Sequence, residues 1–287
     1  MTTLLPRARR LAAAALTLLP WAALALPPQD PWTLRHPATD PVAFHGVAAV
    51  GAAEGMGAQI LYPAPNLAVA LAAVLTHAAI NEGVRSKRTQ EQQRETDLVL
   101  EPLQPELKAL GHAALMAQAL ALLPGQGATG TSAVPPAAPG WQVSSTPVFL
   151  MTQDRRTLLL DNTIGIFAPG EDAKPLYTTT VRVVSRPRAL GLQLVAPGDE
   201  KVLFGARLLA HSLLLALRDA GRAAGDPAPF RSLRYLQGTY EKVERAQPLE
   251  AWCERQVMRT LRGWLLSAPV RPAEGAASCD AGELVRQ

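Results

Sequence analysis

The longest helix-forming stretch of the chain covers residues 66–123, and it limits the possible folds more than any other feature of the sequence. Leu67, Leu71 and Val74 recur at helical spacing, with alanine at most of the positions between them. A helix that is apolar on nearly all sides must be packed on nearly all sides. The apolar run is also shorter than the roughly 18 residues that cross a bilayer. The first part of the stretch therefore predicts a buried core helix.

The second part of the same helix is polar. Charged side chains dominate residues 85–97, where Lys87 and Glu91 are four residues apart and Arg88 stands beside them. Ion pairs at this spacing contribute only about 0.2–0.5 kcal/mol each. We therefore expect this end of the helix to be solvated or to contact a partner, which makes Lys87, Arg88 and Glu91 a candidate binding surface.

Pro102 and Pro105 end this helix, because proline lacks a backbone donor and clashes with the preceding turn. Residues 106–123 then supply a second apolar face at helical spacing. Two helices joined by a short link predict an antiparallel helical hairpin over residues 66–123.

The first 25 residues have the pattern of a secretory signal peptide. Three arginines precede the apolar run LAAAALTLLPWAALA, and the small residues Ala23 and Ala25 suit cleavage before Leu26. The alternative is an uncleaved membrane anchor, but the apolar run is short and Pro20 interrupts it. We expect a periplasmic or secreted protein whose mature chain has no transmembrane segment.

Removal of the signal peptide changes the charge balance. The chain has 28 basic and 24 acidic residues, and three of the basic residues precede the cleavage point. The mature chain is then nearly neutral, so it lacks the strong positive charge typical of proteins that bind nucleic acid. We expect no nucleic-acid partner.

The chain contains two cysteines, Cys253 and Cys279. An exported protein meets oxidising conditions, which favour a disulfide between them. Such a bond would stabilise the fold by roughly 3–4 kcal/mol through loop entropy and would tether the C-terminal tail, residues 268–287. A redox site is less favoured because no Cys-x-x-Cys spacing exists, and a zinc site because histidine is sparse near either thiol.

Two stretches lack periodicity. Residues 26–65 are rich in proline and then in glycine, which predicts an N-terminal arm, and no Gly-Lys-Ser/Thr follows as a phosphate loop would require. Residues 124–140, PGQGATGTSAVPPAAPG, carry no charge and predict a flexible linker. The linker separates a helical first half from a second half with strands, although we expect one compact body.

Residues 141–267 predict an α+β portion. Strands are expected at residues 141–153, 157–168 and 177–184, where short turns separate runs rich in β-branched residues. Neighbouring strands joined in this way form an antiparallel meander, whose apolar face needs helices above it. The leucine-rich residues 200–220 predict one such helix.

The last part of this portion is less clear. Residues 231–245 suit either a fourth strand or a hairpin, and residues 249–267 have apolar side chains at helical spacing, which predicts an amphipathic helix. Arg255, Arg259 and Arg262 would form a basic stripe on that helix. The stripe could hold an anionic head group or an acidic partner, or it could be an ordinary solvated face.

Residues with catalytic potential do not form a known motif. The sequence has no nucleophile elbow, paired-histidine metal helix or calcium loop, and it predicts no metal site and no cofactor. His211 is a weak catalytic candidate, since a lone histidine on an apolar helix face is more often a packed core residue. His36, Asp40 and His45 lie close together, but in a proline-rich loop that imposes no metal geometry.

Together these features predict an exported α+β protein, in which a helical hairpin and further helices pack on a small antiparallel meander sheet. The missing catalytic motif favours a non-enzymatic cell-envelope accessory or binding protein that contacts an envelope protein or an anionic membrane surface. The alternative is a periplasmic hydrolase with a site assembled from distant residues around His211. A pocket that holds His211 with a carboxylate and a hydroxyl would favour the hydrolase, and a His211 buried among leucines would favour the binding protein.

Overall fold

A mixed sheet of ten strands is the centre of the fold. The computed structural model describes only the backbone of residues 83–89 and 200–203, which are the first residues of two helices. The described residues are 31–47, 83–123, 127–132, 140–171, 174–188, 200–222, 228–252 and 254–271. The strands are β1 (Trp32–Arg35), β2 (Ala43–Val47), β3 (Ala128–Ser132), β4 (Trp141–Thr152), β5 (Leu158–Phe167), β6 (Tyr177–Val184), β7 (Arg231–Gln237), β8 (Tyr240–Trp252), β9 (Arg255–Thr260) and β10 (Leu265–Pro269).

The strand order is β3-β1-β4-β5-β6-β10-β9-β8-β7, and β2 also pairs with β4. The series β4-β5-β6 is antiparallel, and so is the series β10-β9-β8-β7. Strand β10 runs parallel to β6, so this one parallel pair joins the two antiparallel units. Parallel pairs also add β1 and β2 to β4, and β3 to β1.

The helices lie mainly on one face of this sheet. They are α1 (Gly83–Asp97), α2 (Gln104–Ala109), α3 (His112–Ala121) and α4 (Glu200–Ala220), with a 3-10 helix at Leu98–Leu103. Helix α4 contacts β5, β6 and α3. None of the helices in the described part of the chain is long and apolar enough to span a membrane.

The larger core lies between α4 and the sheet. Val143, Ile164, Val181 and Leu265 belong to it, together with the leucines of α4. The burial pattern explains why α4 forms as predicted, because its apolar side is wide and meets several strands. Helix α4 at Glu200–Ala220 is therefore a confirmed prediction.

A smaller core lies on the opposite face of the sheet. Strand β8 pairs with β7 in its first half and with β9 in its second half, and its register shifts between Pro248 and Glu250. This irregularity lets β7 curl back towards β10. Leu233 and Tyr235 of β7 then pack in this core with Leu266 of β10, Leu159 of β5 and Val184 of β6. The remaining part of the face, with Thr146, Thr163 and Thr180, is exposed or half-buried, and we call it the open face.

The sheet is larger than the sequence predicts. Strands β4, β5 and β6 confirm the three predicted strands, and β7 with β8 shows that residues 231–245 belong to a hairpin. The prediction of a helical hairpin on a small antiparallel meander is nevertheless wrong. Strands β1 and β2 arise within the predicted arm at residues 26–65, and β3 arises within the predicted linker at residues 124–140. Such short strands depend on their neighbours more than on their own pattern.

The predicted C-terminal helix at residues 249–267 is also wrong. This stretch forms the end of β8, all of β9 and the start of β10. Glu254 and Gly263 have positive φ angles of 56° and 79°, which turn the chain before and after β9. Both faces of β9 and β10 are largely buried, so their apolar residues do not alternate strictly, and the spacing of apolar residues over the stretch resembles that of a helix.

The described part of residues 66–123 does not form a helical hairpin. Helix α1 contacts β2 and the 3-10 helix, whereas α3 contacts α4 and β3. The predicted second helix is divided because Leu110 is extended and its carbonyl accepts a hydrogen bond from Val42 N at 3.0 Å. Residues 66–82, where the buried helix was predicted to begin, lie outside the described residues.

The polar end of α1 is anchored on β2. The backbone N–H of Gly46 donates to Asp97 Oδ1 at 2.6 Å, and Gln93 Nε2 donates to the same oxygen at 2.8 Å. The approach is close enough that a Cβ atom at Gly46 would overlap the carbonyl group of Thr96. Only glycine fits this contact without a shift of the backbone.

Gly46→Ala should therefore destabilise the protein by about 1–3 kcal/mol, the usual cost of overpacking. Gly140→Ala is the control, because its Cβ would meet the Pro31 carbonyl oxygen at an ordinary distance of 3.4 Å. Urea unfolding measures both variants. A Gly46→Ala protein as stable as the Gly140→Ala control would contradict the docking of α1 on β2.

Candidate functional site

His211 lies in α4 and is completely buried. Its Nε2 atom is 2.9 Å from the Oγ atom of Ser267 in β10. Its ring also meets the ring of Trp252 in an edge-on arrangement, with 5.6 Å between the centroids. Ser267 is completely buried as well, so this polar contact lies inside the interface between α4 and the sheet.

Arg255 of β9 completes the buried cluster, with only 3% of its surface exposed. Its Nε atom donates to Ser267 Oγ at 3.2 Å, and its Nη2 atom donates to the carbonyl oxygens of Val184 and Ser267 at 2.7 and 2.9 Å. Burial, and to a smaller extent the charge of Arg186, lowers the pKa of Arg255 to about 9. Burial of this charge opposes folding, and the three hydrogen bonds offset part of that cost.

A second polar cluster lies near the end of α4. The buried Asp219 carboxylate accepts hydrogen bonds from the Tyr177 hydroxyl at 2.6 Å and from Arg259 Nη2 at 2.5 Å. Burial, followed by the hydrogen bond and charge of Asp219, raises the pKa of Tyr177 far above its usual value. This cluster ties α4 to β6 and β9.

The predicted basic stripe is not a surface feature, because residues 255–260 form a strand instead of a helix. Arg255 is enclosed, and Arg259 is engaged by Asp219. Arg262 is exposed in the turn between β9 and β10, with its Cζ atom 5.9 Å from the centroid of the Trp264 ring. Of the three arginines, Arg262 alone keeps an exposed side chain that a partner could reach.

The remaining predicted binding residues are only partly described. Lys87, Arg88 and Glu91 lie in α1, where Glu91 is exposed and the side chains of Lys87 and Arg88 are outside the described part. Cys253 and Cys279 also fall outside the described residues. Their disulfide therefore stays a prediction.

The proline-rich loop does not bring its histidines and aspartate together as metal ligands. Asp40 accepts hydrogen bonds from the backbone N and the Nδ1 of His112 at 2.7 and 3.2 Å, and the backbone hydrogen bond lowers the pKa of Asp40. The His36 ring stacks on His112, while His45 lies 3.5 Å from Asp97. No group of three metal-binding side chains occurs in the parts of the chain that the structure describes.

A polar surface that was not predicted from the sequence lies on the side of the sheet away from the helices. The register places Thr146 opposite Thr163 and Thr163 opposite Thr180, across β4, β5 and β6. In the next row, Arg182 donates through Nε and Nη2 to both carboxylate oxygens of Asp161 at 2.6 and 2.5 Å. Alternation of apolar and polar residues along β6 was the signal that could have identified this surface.

Ser267 was also missed, because nothing in the sequence LLSAP marks its serine as different from any other. The His211–Ser267 distance suits a nucleophile and its general base. A reaction would nevertheless require a substrate to reach the Ser267 hydroxyl, and neither side chain is exposed. The same hydroxyl oxygen accepts a hydrogen bond from Arg255, so the cluster as it stands supports packing and not catalysis.

Comparison with known proteins gives no further assignment. No protein-family model, curated protein or solved structure matches the chain.

Tyr177→Phe should destabilise the protein by about 1–3 kcal/mol at neutral pH, because Asp219 loses a buried donor. The difference should shrink above about pH 10, by up to about 1.4 kcal/mol per pH unit, because the unfolded tyrosine ionises there while the folded one stays protonated. Because the pKa of Tyr177 is raised in the folded state, the free energy of unfolding of the wild type falls by this increment as pH rises, and that of the phenylalanine variant does not. Urea unfolding from about pH 8 to 11 measures both proteins. A difference that stays constant over this range would contradict the raised pKa of Tyr177.

Proposed function

We propose that this chain is an exported, non-enzymatic accessory or binding protein of the cell envelope. The observation that carries the proposal is the enclosure of His211, the catalytic candidate of the sequence. It lies inside the core with Ser267 and Arg255, and none of the three presents a surface on which a substrate could bind. Export is supported by the signal-like pattern of residues 1–25, which lie outside the described residues.

The exposed features suit contact with a partner. The open face carries a row of threonine hydroxyls across three strands, next to the Asp161–Arg182 pair. The turn between β9 and β10 presents Arg262 beside Trp264. Arginine and tryptophan are enriched where proteins bind partners, because each combines apolar area with polar donors.

A periplasmic hydrolase is the second candidate. The 2.9 Å contact between His211 Nε2 and Ser267 Oγ favours it, since a histidine at hydrogen-bond distance is the common general base for a serine nucleophile. This function would require α4 to move away from β10 so that a substrate could reach the hydroxyl. The binding protein requires no such movement.

The test is to recover the protein from the envelope fraction and treat it with a serine-reactive phosphonate. We expect an N-terminus at Leu26 and no adduct on Ser267 in the folded protein, because a buried hydroxyl cannot reach the reagent. Residence in the cytosol would contradict export. An adduct on Ser267 that disappears in a His211→Gln variant would establish the hydrolase instead.

Replacement of the serine tests its structural role, with urea unfolding as the measurement. Ser267→Ala should lower the free energy of unfolding by about 1–3 kcal/mol, since His211 and Arg255 each lose one buried hydrogen-bond partner. Ser232→Ala, at an exposed position of β7, is the matched control and should have little effect.

A further inference from the structure

Three of the six large apolar side chains that are exposed in the described part of the chain lie at one end of the sheet. Leu176, Phe230 and Leu261 are 44%, 37% and 61% exposed. Leu176 comes directly before β6, Phe230 comes directly before β7, and Leu261 lies in the turn between β9 and β10. We call this region the turn end.

Strand pairing shows that these residues share one end of the sheet. Arg231 of β7 pairs with Ala246 of β8, which pairs with Thr260 at the end of β9. Strand β10 starts beside Val181, parallel to β6, so both strands begin at the same end. Asp219 contacts Arg259 and therefore places the end of α4 there as well.

The turn end is also basic. Its exposed cations make no ion pair within the part of the chain that the structure describes. They are Lys174, Arg222, Arg231, Arg245 and Arg262. Among the described residues, Glu171 is the exposed acid of this end.

The opposite end of the sheet has a different character. There Arg186 pairs with Glu254 at 2.8 Å, and Asp154 lies in the turn between β4 and β5. Arg234, further along β7 towards that end, pairs with Glu241. Exposed Arg155 and Tyr240 also lie at the opposite end. The two ends therefore differ in their acids: Asp154, Glu241 and Glu254 accompany the cations of the opposite end, whereas Glu171 is the exposed acid described at the turn end.

We propose that the turn end docks on a membrane surface rich in anionic phospholipids, an inference that rests on the proposed envelope function and names its partner. Lysine and arginine are each attracted to such a surface, and exposed leucine and phenylalanine bury themselves at the head-group boundary. Leu261 projects at the tip of the turn. Trp264 follows in the same turn, half-buried, with the Cζ atoms of Arg182 and Arg262 at 5.4 and 5.9 Å from its ring centroid. Tryptophan is enriched at membrane interfaces. Docking here leaves the open face of the sheet accessible to other molecules.

The experiment measures cosedimentation of the purified protein with vesicles of phosphatidylglycerol and with vesicles of phosphatidylcholine. We expect binding to the anionic vesicles that weakens with added salt, and little binding to the neutral ones. A triple variant, Arg222→Gln with Arg231→Gln and Arg262→Gln, should bind the anionic vesicles roughly 10- to 100-fold more weakly. Leu261→Ser alone should weaken binding roughly 3- to 10-fold.

A second triple variant removes the same charge elsewhere. It carries Arg94→Gln, Arg155→Gln and Arg234→Gln, which are exposed positions away from the turn end. This variant should bind within roughly 3-fold of the wild type, because cations distant from the surface are screened. Equal losses in the two triple variants would overturn the proposal, and so would equal binding to neutral vesicles or no binding to anionic ones.

These outcomes are separate from those that test the proposed function. Absence of vesicle binding would leave export and the unreactive Ser267 unaffected, and the partner would then be something other than a lipid surface. A cytosolic protein or a reactive Ser267 would contradict the envelope accessory function even if the turn end bound vesicles.

Discussion

The burial of Arg255 is the constraint on which the arrangement of the sheet and α4 depends. A guanidinium inside a protein must have its donors satisfied, because an unpaired buried charge is far more costly than an unpaired neutral group. Arg255 meets this requirement with acceptors from Val184 in β6 and Ser267 in β10, while it belongs to β9 itself. The hydrogen bonds of Arg255 therefore fix the register of β6, β9 and β10 relative to one another. These strands include the parallel pair that joins the two antiparallel units of the sheet.

Helix α4 is tied to the same strands at two points. His211 contacts Ser267, and Asp219 binds both Tyr177 and Arg259 about two turns further on, roughly 12 Å along the axis. Two polar contacts at this separation define the rotation of the helix as well as its position along the sheet. The surrounding leucines supply most of the burial, but apolar contacts alone would permit neighbouring arrangements. The side chains that most resemble catalytic or binding groups thus hold the helix on the sheet.

This use of polar residues explains what could be predicted from the sequence and what could not. Strands β4, β5 and β6 and helix α4 were predictable because each has a local pattern that agrees with its environment. The stretch that holds β9 and β10 was not, since burial on both faces removed the alternation that marks a strand. Its arginines consequently suggested a stripe on a helix surface. His211 was correctly placed on an apolar helix face, yet its partner Ser267 is 56 residues away, a separation that no local pattern reveals.

The central claim is that Arg255 is a buried arginine in a strand, held by backbone carbonyls and by Ser267. A two-dimensional ¹H–¹⁵N spectrum that includes the arginine side chains tests it most directly. The account predicts a resolved Nε–H signal for Arg255 that exchanges slowly with solvent, and extended-strand chemical shifts for residues 255–260. A rapidly exchanging Arg255 signal at the position of exposed arginines, with helical shifts in the same residues, would contradict the account.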